Sequence, residues 1–405
     1  MSRLLSIILL LLLVSGSYLI RSENSSEPKD DEQIEEIEKW VMDPAMASYL
    51  REFERDFEHG LDKNRIPGAA VSIVKDGRVV YQKGFGVKEK GKPEAVNEHT
   101  VFRLGSVSKG FASVLAGVIK EEGLLMWDQP VSRYLDEFKL FDPEQTSRVQ
   151  IRHLLSHTSG LPRHAFTNLV EDGLPMDRII PQLSQVPLIA IEGEQIAYQN
   201  ATYSVIEKVL EVQTETDFNT LLHEKLFKPL EMNHSSASFD SISSSANKAS
   251  PHLFHSPSQG RVPVPISRKY YNAVSSGGIN ASASDMGKWL LLLTGYFPEV
   301  ISEETLQDIY DPLATIHNRR YSRYWNGVNE SHYGLGWRVL FNQEQKVVYH
   351  GGYVNGYRSE VAFAPDEGIG ISVLINANSN YPLEVISGFF EHFSSDPESP
   401  EIFIK

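Results

Sequence analysis

From Met46 the apolar residues Met46, Leu50, Phe53, Phe57 and Leu61 recur at three- and four-residue intervals, a period that predicts an amphipathic helix lying on a core and ending before Pro67-Gly68. Two β-rich runs follow, Ala69 to Val74 and Arg78 to Phe85, and the Lys75-Asp76-Gly77 between them marks a hairpin, because Asp-Gly tolerates the backbone a two-residue turn needs. Further β-rich runs lie near the other end, at Tyr333 to Phe341, Lys346 to His350, Tyr357 to Ala364 and Gly368 to Ile375, with Asp366-Glu367-Gly368 as a turn. Antiparallel strands at the two ends of the chain can complete one sheet. Helical patterns fill the middle, at Ser106 to Glu122, Thr202 to Val212, Thr216 to Leu226 and Asp285 to Leu293, the last entered through a capping box between Ser282 and Asp285. Ser235 to Ser250 is rich in serine and Pro251 to Ser267 carries four prolines, which reads as surface loop or flap.

The expected fold class is α+β: an antiparallel sheet flanked by helices and built from both chain ends, with a mainly helical region inserted over about 151–267. Ahead of this body, Met1-Ser2-Arg3 precedes an uncharged apolar run from Leu4 to Val14 and then Ser15-Gly16-Ser17, the order of a signal peptide. An uncleaved anchor is the rival, since the segment Leu4 to Ile20 sits at the lower limit for spanning a bilayer. Residues 1–20 are therefore read as signal peptide or anchor, 21–44 as an acidic solvated spacer, 45–395 as the body and 396–405 as a tail. A secreted or otherwise extracytoplasmic location follows from either reading of the leader.

Composition narrows the chemistry. With 405 residues, 41% hydrophobic and 22% charged, the chain is of globular type and large enough for a sizeable core. A formal net charge of -15 argues against nucleic acid as a partner. The chain has no cysteine, which removes disulfides, thiolate metal sites and a cysteine nucleophile. Sequons stand at Asn24, Asn200, Asn233, Asn280 and Asn329.

Ser-x-x-Lys recurs along the chain, at Ser26, Ser106 and Ser245 among other places, and only Ser106-Val107-Ser108-Lys109 heads an apolar helix, with Phe111, Val114, Leu115, Val118 and Ile119 on its stripe. One helical turn sets a serine hydroxyl beside a lysine amine, a nucleophile with a base in reach. Taken alone, the pattern is more simply a helix cap followed by an exposed lysine. A lysine working as a base has to be neutral part of the time. Lowering its pKa by ~3 units from about 10.4 costs on the order of 4 kcal/mol, which burial and a second cation can supply. No Gly-x-Ser-x-Gly elbow is present, and His153 and His157, four apart, lack the company of a metal site and read as structural histidines.

Leu154-Leu155-Ser156-His157-Thr158-Ser159-Gly160-Leu161-Pro162 resembles the characteristic stretch of the serine β-lactamase-related hydrolases, the class C branch shared with esterases and D-amino-acid peptidases. Arg103 to Lys109, Gly193-Glu194 to Tyr203 and Ser276-Gly277-Gly278 to Trp289 resemble further segments of that family in the same order, and the resemblance covers roughly 67–376. It implies a β-lactamase/transpeptidase-like fold and acyl transfer without metal or cofactor. Tyr-x-Asn, the family's second motif, fits four places, at Tyr198, Tyr270, Tyr324 and Tyr353; the flanks of Tyr198-Gln199-Asn200 select it. By that resemblance Ser106 is the nucleophile, Lys109 and Tyr198 move its proton, and Asn200 holds Lys109 or the substrate carbonyl. The third motif, Lys-Thr-Gly in the family's β-lactamases, is replaced by His350-Gly351-Gly352. The resemblance makes this strand a wall of the substrate cleft, with His350 and Gly352 in contact with substrate and the Tyr353 amide joining that of Ser106 as oxyanion hole. It implies a small-molecule ester, amide or peptide substrate. Histidine at this place points to an esterase or peptidase; a β-lactamase or D,D-peptidase, and a binding protein that kept the fold, are the alternatives.

Overall fold

A computed structural model describes residues 42–317, 324–325, 327–342 and 345–394. The expected leader 1–20, the spacer as far as 41, the tail 396–405 and Asn326 of the Tyr324-Trp325-Asn326 match lie outside the described residues. Among the described residues no helix is long and apolar enough to cross a membrane.

The strands are β1 (Gly68–Lys75), β2 (Arg78–Gly86), β3 (Phe102–Arg103), β4 (His252–Ser256), β5 (Gly260–Pro263), β6 (Asn280–Ala281), β7 (Ala314–Thr315), β8 (Val328–Tyr333), β9 (Arg338–Asn342), β10 (Gln345–Val354), β11 (Tyr357–Ala364) and β12 (Ile369–Ile375). Eight of them form one antiparallel sheet in the order β2-β1-β12-β11-β10-β9-β8-β7. The two chain ends meet in the β1–β12 pair, where Ala69 faces Ile375 and Lys75 faces Ile369. Gly68-Ala69-Ala70-Val71-Ser72-Ile73-Val74 and all of β12 are buried. Strands covered on both faces have no polar side to show, which is why they read as continuous apolar runs rather than as alternation.

The covers can be assigned from side chains. Gln82 donates to Ser72 Oγ (3.0 Å) and to the Ala283 carbonyl (3.2 Å), which sets helix Ala283–Leu293 on one face. Phe85 points to the other face and meets Phe57 of helix Pro44–Lys63 at 4.8 Å between ring centroids. Helix Tyr381–Ser394 packs on β11 and β12, and its Tyr381 hydroxyl donates to the Phe57 carbonyl (3.1 Å). Beneath helix Ala283–Leu293, Trp289 stacks on Phe111 of helix Ser108–Glu121 with centroids 3.8 Å apart, tying the helix that carries Lys109 to the sheet's cover. The inserted region carries helices from Ile151–Leu155 through Val205–Thr214 to Phe239–Ser244.

Local chemistry explains where the pattern and the structure part. Tyr333 to Phe341 is not one strand but β8 and β9: Gly336 takes φ +79, and a side chain on Gly334 would approach the Ile309 carbonyl to 2.7 Å, so the run turns there. The proline-rich stretch contains the β4–β5 hairpin, with His252 fully buried and bonded to the Asn376 carbonyl. Thr216 to Leu226 is a short helix, Phe218–Leu222, continued by a π-turn over His223–Phe227. Two hairpins follow Asp-Gly and Asn-Gly: Asp76 and Gly77 take φ +47 and +75, and Asn355 and Gly356 take +39 and +93.

Candidate active site

The chain enters the site through Gly105–Val107, a 3-10 turn that precedes helix Ser108–Glu121, so Ser106 stands just before the α-helix rather than on its first turn. Gly105 has φ +53, and a Cβ there would lie 2.8 Å from the Tyr353 amide nitrogen; a larger residue would both strain the turn and strike β10. Between Val101 and Ile119, Ser106 alone is not buried. Its neighbour Lys109 is fully buried, donates to Asn200 Oδ1 (2.8 Å) and to the Ser276 carbonyl (3.0 Å), and lies 4.8 Å from the centre of the Tyr198 ring. Among the described residues no carboxylate pairs with it. Burial, and after it the Arg338 guanidinium, hold the Lys109 amine well below its ordinary range.

The nonapeptide supports the other wall from behind. His157 takes φ +61 and Gly160 φ +89, folding the segment so that its groups face the Tyr-x-Asn loop. The His157 carbonyl accepts from Ala197 N, His157 Nδ1 accepts from Gln199 N (3.3 Å), and the Gln199 side chain donates to the Leu161 and Pro162 carbonyls (2.6 and 3.0 Å). Tyr198 and Asn200 flank that anchor and are presented to Ser106 and Lys109. Tyr198 and Ser106 line the same cleft; burial raises the Tyr198 pKa, while Arg338 and the nearby Ser106 hydroxyl oppose the rise. Asn200 is oriented from both ends, since its Nδ2 donates to the Tyr270 hydroxyl (3.2 Å), which donates to Glu171 (2.9 Å).

His350 is placed otherwise than the motif suggested. It is fully buried beneath the cleft floor and lines no part of it. Because His157 Nδ1 accepts a backbone N–H, its proton sits on Nε2 and goes to the Tyr333 hydroxyl (3.2 Å). Tyr333 then donates to His350 Nε2 (3.1 Å), and His350 Nδ1 donates to the Gly351 carbonyl (2.9 Å). Burial, with Arg338 and Lys109 nearby, keeps both imidazoles neutral. This histidine therefore braces β10 from below.

The cleft above measures about 700 Å³ and is lined by Ser106, Tyr198, Arg163, Arg338, Gly352 and Tyr353 among others. A Cβ on Gly352 would lie 2.9 Å from the Ser106 amide nitrogen and would collide with the Leu104 carbonyl, so β10 runs flush against the nucleophile's turn. The amides of Ser106 and Tyr353 meet along that seam, while the Tyr353 side chain is 43% exposed at the mouth. Arg338, opposite Tyr349 in the β9–β10 register, lies 5.7 to 5.9 Å from the rings of Tyr198, Tyr333 and Tyr349. Arg358 also faces the cleft, paired with the buried Glu360. Three arginines in the cleft of a chain with net charge -15 make this a local positive field.

Sequence reasoning brought together Ser106, Lys109, Tyr198, Asn200, Gly352 and Tyr353, and missed Arg338, Ser276 and Tyr270. Tyr270 headed one of the discarded Tyr-x-Asn matches, and Arg338 was the one cation in an otherwise apolar segment between Leu335 and Phe341; neither signal says which face a side chain takes.

Residues 53–386 match the family model described as Beta-lactamase. The chain is 26% identical over 340 residues to the protein flp of Staphylococcus aureus, covering 82% of this chain and 64% of the relative. It is 26% identical over 349 residues to the unguisins hydrolase ungD' of Aspergillus campestris, covering 82% and 62%. The chain thus spans less than two thirds of the length of these relatives. The octameric penicillin-binding protein homologue from Pyrococcus abyssi superposes with a TM-score of 0.74 at 23% identity, over 84% of this chain and 77% of that one, a likeness of fold.

Proposed function

The chain belongs to the beta-lactamase family, and from that premise we propose that it is a serine hydrolase that cleaves an ester or amide bond through an acyl-enzyme on Ser106. The observation that carries the reading is Lys109: a fully buried amine held by two neutral acceptors, with a guanidinium nearby and no carboxylate to keep it charged. Such an amine is a proton acceptor at neutral pH, where an exposed lysine is not.

In this mechanism Ser106 Oγ attacks the substrate carbonyl and gives up its proton to Lys109, directly or through the Tyr198 hydroxyl. The amides of Ser106 and Tyr353 hold the developing oxyanion, a contribution of typically ~3 kcal/mol per donor. Tyr198 returns the proton to the leaving group, and water releases the acid from Ser106 by the same route reversed. Arg338 and Arg163 favour a substrate that carries an anionic group, a carboxylate being the simplest. A relative named as a hydrolase supports hydrolysis in general and no particular substrate. We place the reaction outside the cytosol on the strength of the leader-like residues 1–20.

The β-lactamase or D,D-peptidase alternative keeps one specific support, the positive charge that Arg338 brings from β9 to a cleft whose third motif has His350 in place of the family's lysine. Incubating the protein with a fluorescent fluorophosphonate and, separately, with a fluorescent penicillin decides both points. Fluorophosphonate adduct at Ser106, lost in Ser106→Ala, is expected. Folded protein that takes no label, or label that persists in the alanine variant, overturns the assignment, and a penicillin adduct that forms and clears quickly favours the alternative.

A further inference from the structure

Behind Lys109 lies a buried polar chain that this mechanism does not use. Glu207, on helix Val205–Thr214, contacts Ser275 Oγ through Oε1 at 2.6 Å; Ser275 Oγ lies 3.0 Å from Ser204 Oγ; Ser204 Oγ lies 2.7 Å from Ser276 Oγ; and Ser276 Oγ donates to the Asn200 carbonyl at 2.8 Å. Glu207 Oε1 also accepts from the Ser275 amide (2.7 Å). The three serines are buried, two of them completely. The end of the chain away from Glu207 bears on the catalytic lysine twice: Asn200 holds its Nζ by the side chain and Ser276 by the carbonyl.

Proton counting decides how the chain is wired. Four oxygen-to-oxygen contacts need four hydrogens, whereas three serine hydroxyls supply three and a carbonyl supplies none. The fourth has to come from the carboxyl group. With Glu207 protonated every link is made and all run one way, Glu207 to Ser275 to Ser204 to Ser276 to the Asn200 carbonyl. With Glu207 ionised the hydroxyls reverse, each turning toward the carboxylate, and Ser276 releases Asn200.

We propose that Glu207 heads this chain as a proton donor and is, through it, a positioning residue for Lys109. The proposal rests on the reading of Lys109 as the base. Burial raises the Glu207 pKa to about 7, Glu211 pushes the same way, and the two Ser275 bonds and Lys208 oppose. Lys208 is itself engaged by Asp177 and Glu211. Of the helices packed on this one, Ser108–Glu121 carries Lys109, Lys120 and Glu121, and Ile151–Leu155 carries Arg152 and His153; Phe218–Leu222 and Val274–Gly277 have no titratable side chain. Ionisation near neutral pH would loosen the Asn200 carbonyl and place a negative charge behind the lysine, returning it toward its ammonium form.

The test compares Glu207→Gln with wild type, since the glutamine amide stays neutral at every pH. The ratio of fluorophosphonate labelling rates, variant over wild type, should rise several-fold between about pH 6 and about pH 8.5, following one ionisation. Taking a ratio removes the pH dependence of the reagent itself. Thermal melting gives a readout free of activity. A glutamic acid whose folded pKa is raised loses stability as pH rises from its unfolded value of about 4.3 toward about 7, so the Tm advantage of Glu207→Gln should be larger at about pH 8 than at about pH 4.5. Ser275→Ala, which cuts the chain at its first link, leaves two hydroxyls for the two remaining links, so Ser276 keeps the Asn200 carbonyl at every pH and the step near neutrality should shrink. A rate ratio and a Tm difference both constant with pH, or a wild-type pH profile in Ser275→Ala, overturn the proposal. Wild-type protein that is never labelled overturns the hydrolase reading and the catalytic half of this one, while melting still decides whether Glu207 keeps its proton.

Discussion

At the scale of single residues, the site turns on how one ammonium is made into an amine. Desolvation does most of this for Lys109, and Arg338 adds to it from β9. Replacing Arg338 by glutamine removes a positive charge, so the Lys109 pKa should rise. The ascending limb of the labelling rate against pH should then move to higher pH, with about a tenfold loss at neutral pH for each unit of displacement and recovery in alkaline buffer. A loss that is the same at every pH would assign Arg338 to substrate binding alone. His350 shows the converse lesson. Its place in the motif suggested contact with substrate, but burial beneath Tyr333 and a chain of defined tautomers make it a neutral support.

At the scale of elements, the proposed catalysis depends on a seam between a 3-10 turn and a strand. Gly105 and Gly352 let Gly105–Val107 and β10 run in backbone contact, and Ser359 Oγ donates to the Leu104 carbonyl beside them. A methyl group at Gly352 pries the Ser106 and Tyr353 amides apart. Gly352→Ala is therefore expected to lower labelling by about 10²–10³-fold, the range for losing one oxyanion donor, while its far-ultraviolet circular dichroism stays that of wild type. A variant that labels at the wild-type rate would place the oxyanion elsewhere. The same element logic accounts for the nonapeptide: it supplies no group that reaches Ser106, but its bent backbone holds the loop that does.

At the scale of the whole molecule, the sheet joins residues 300 positions apart, and burial divides the sequons into two classes. Asn200 and Asn280 are buried, whereas Asn233 and Asn329 are exposed. Protein secreted through a glycosylating route should carry glycan at Asn233 and Asn329 and none at Asn200 and Asn280 by peptide mapping; active protein glycosylated at Asn200 would contradict the site. Much of this was legible in the chain itself. Local rules determined the helix from Met46, the Asp76-Gly77 hairpin, the apolar runs of the central strands and the Ser106 to Lys109 turn, because period, turn chemistry and capping act over a few neighbouring residues. Motif order also located Tyr198 and Asn200. Tertiary structure alone decided that Tyr333 to Phe341 bends into two strands, that Arg338 rather than His350 brings charge to the cleft, and that Glu207 connects to Lys109 through three serines. These depend on dielectric, on register and on which groups share protons across 68 or more residues of chain, and no local pattern encodes them.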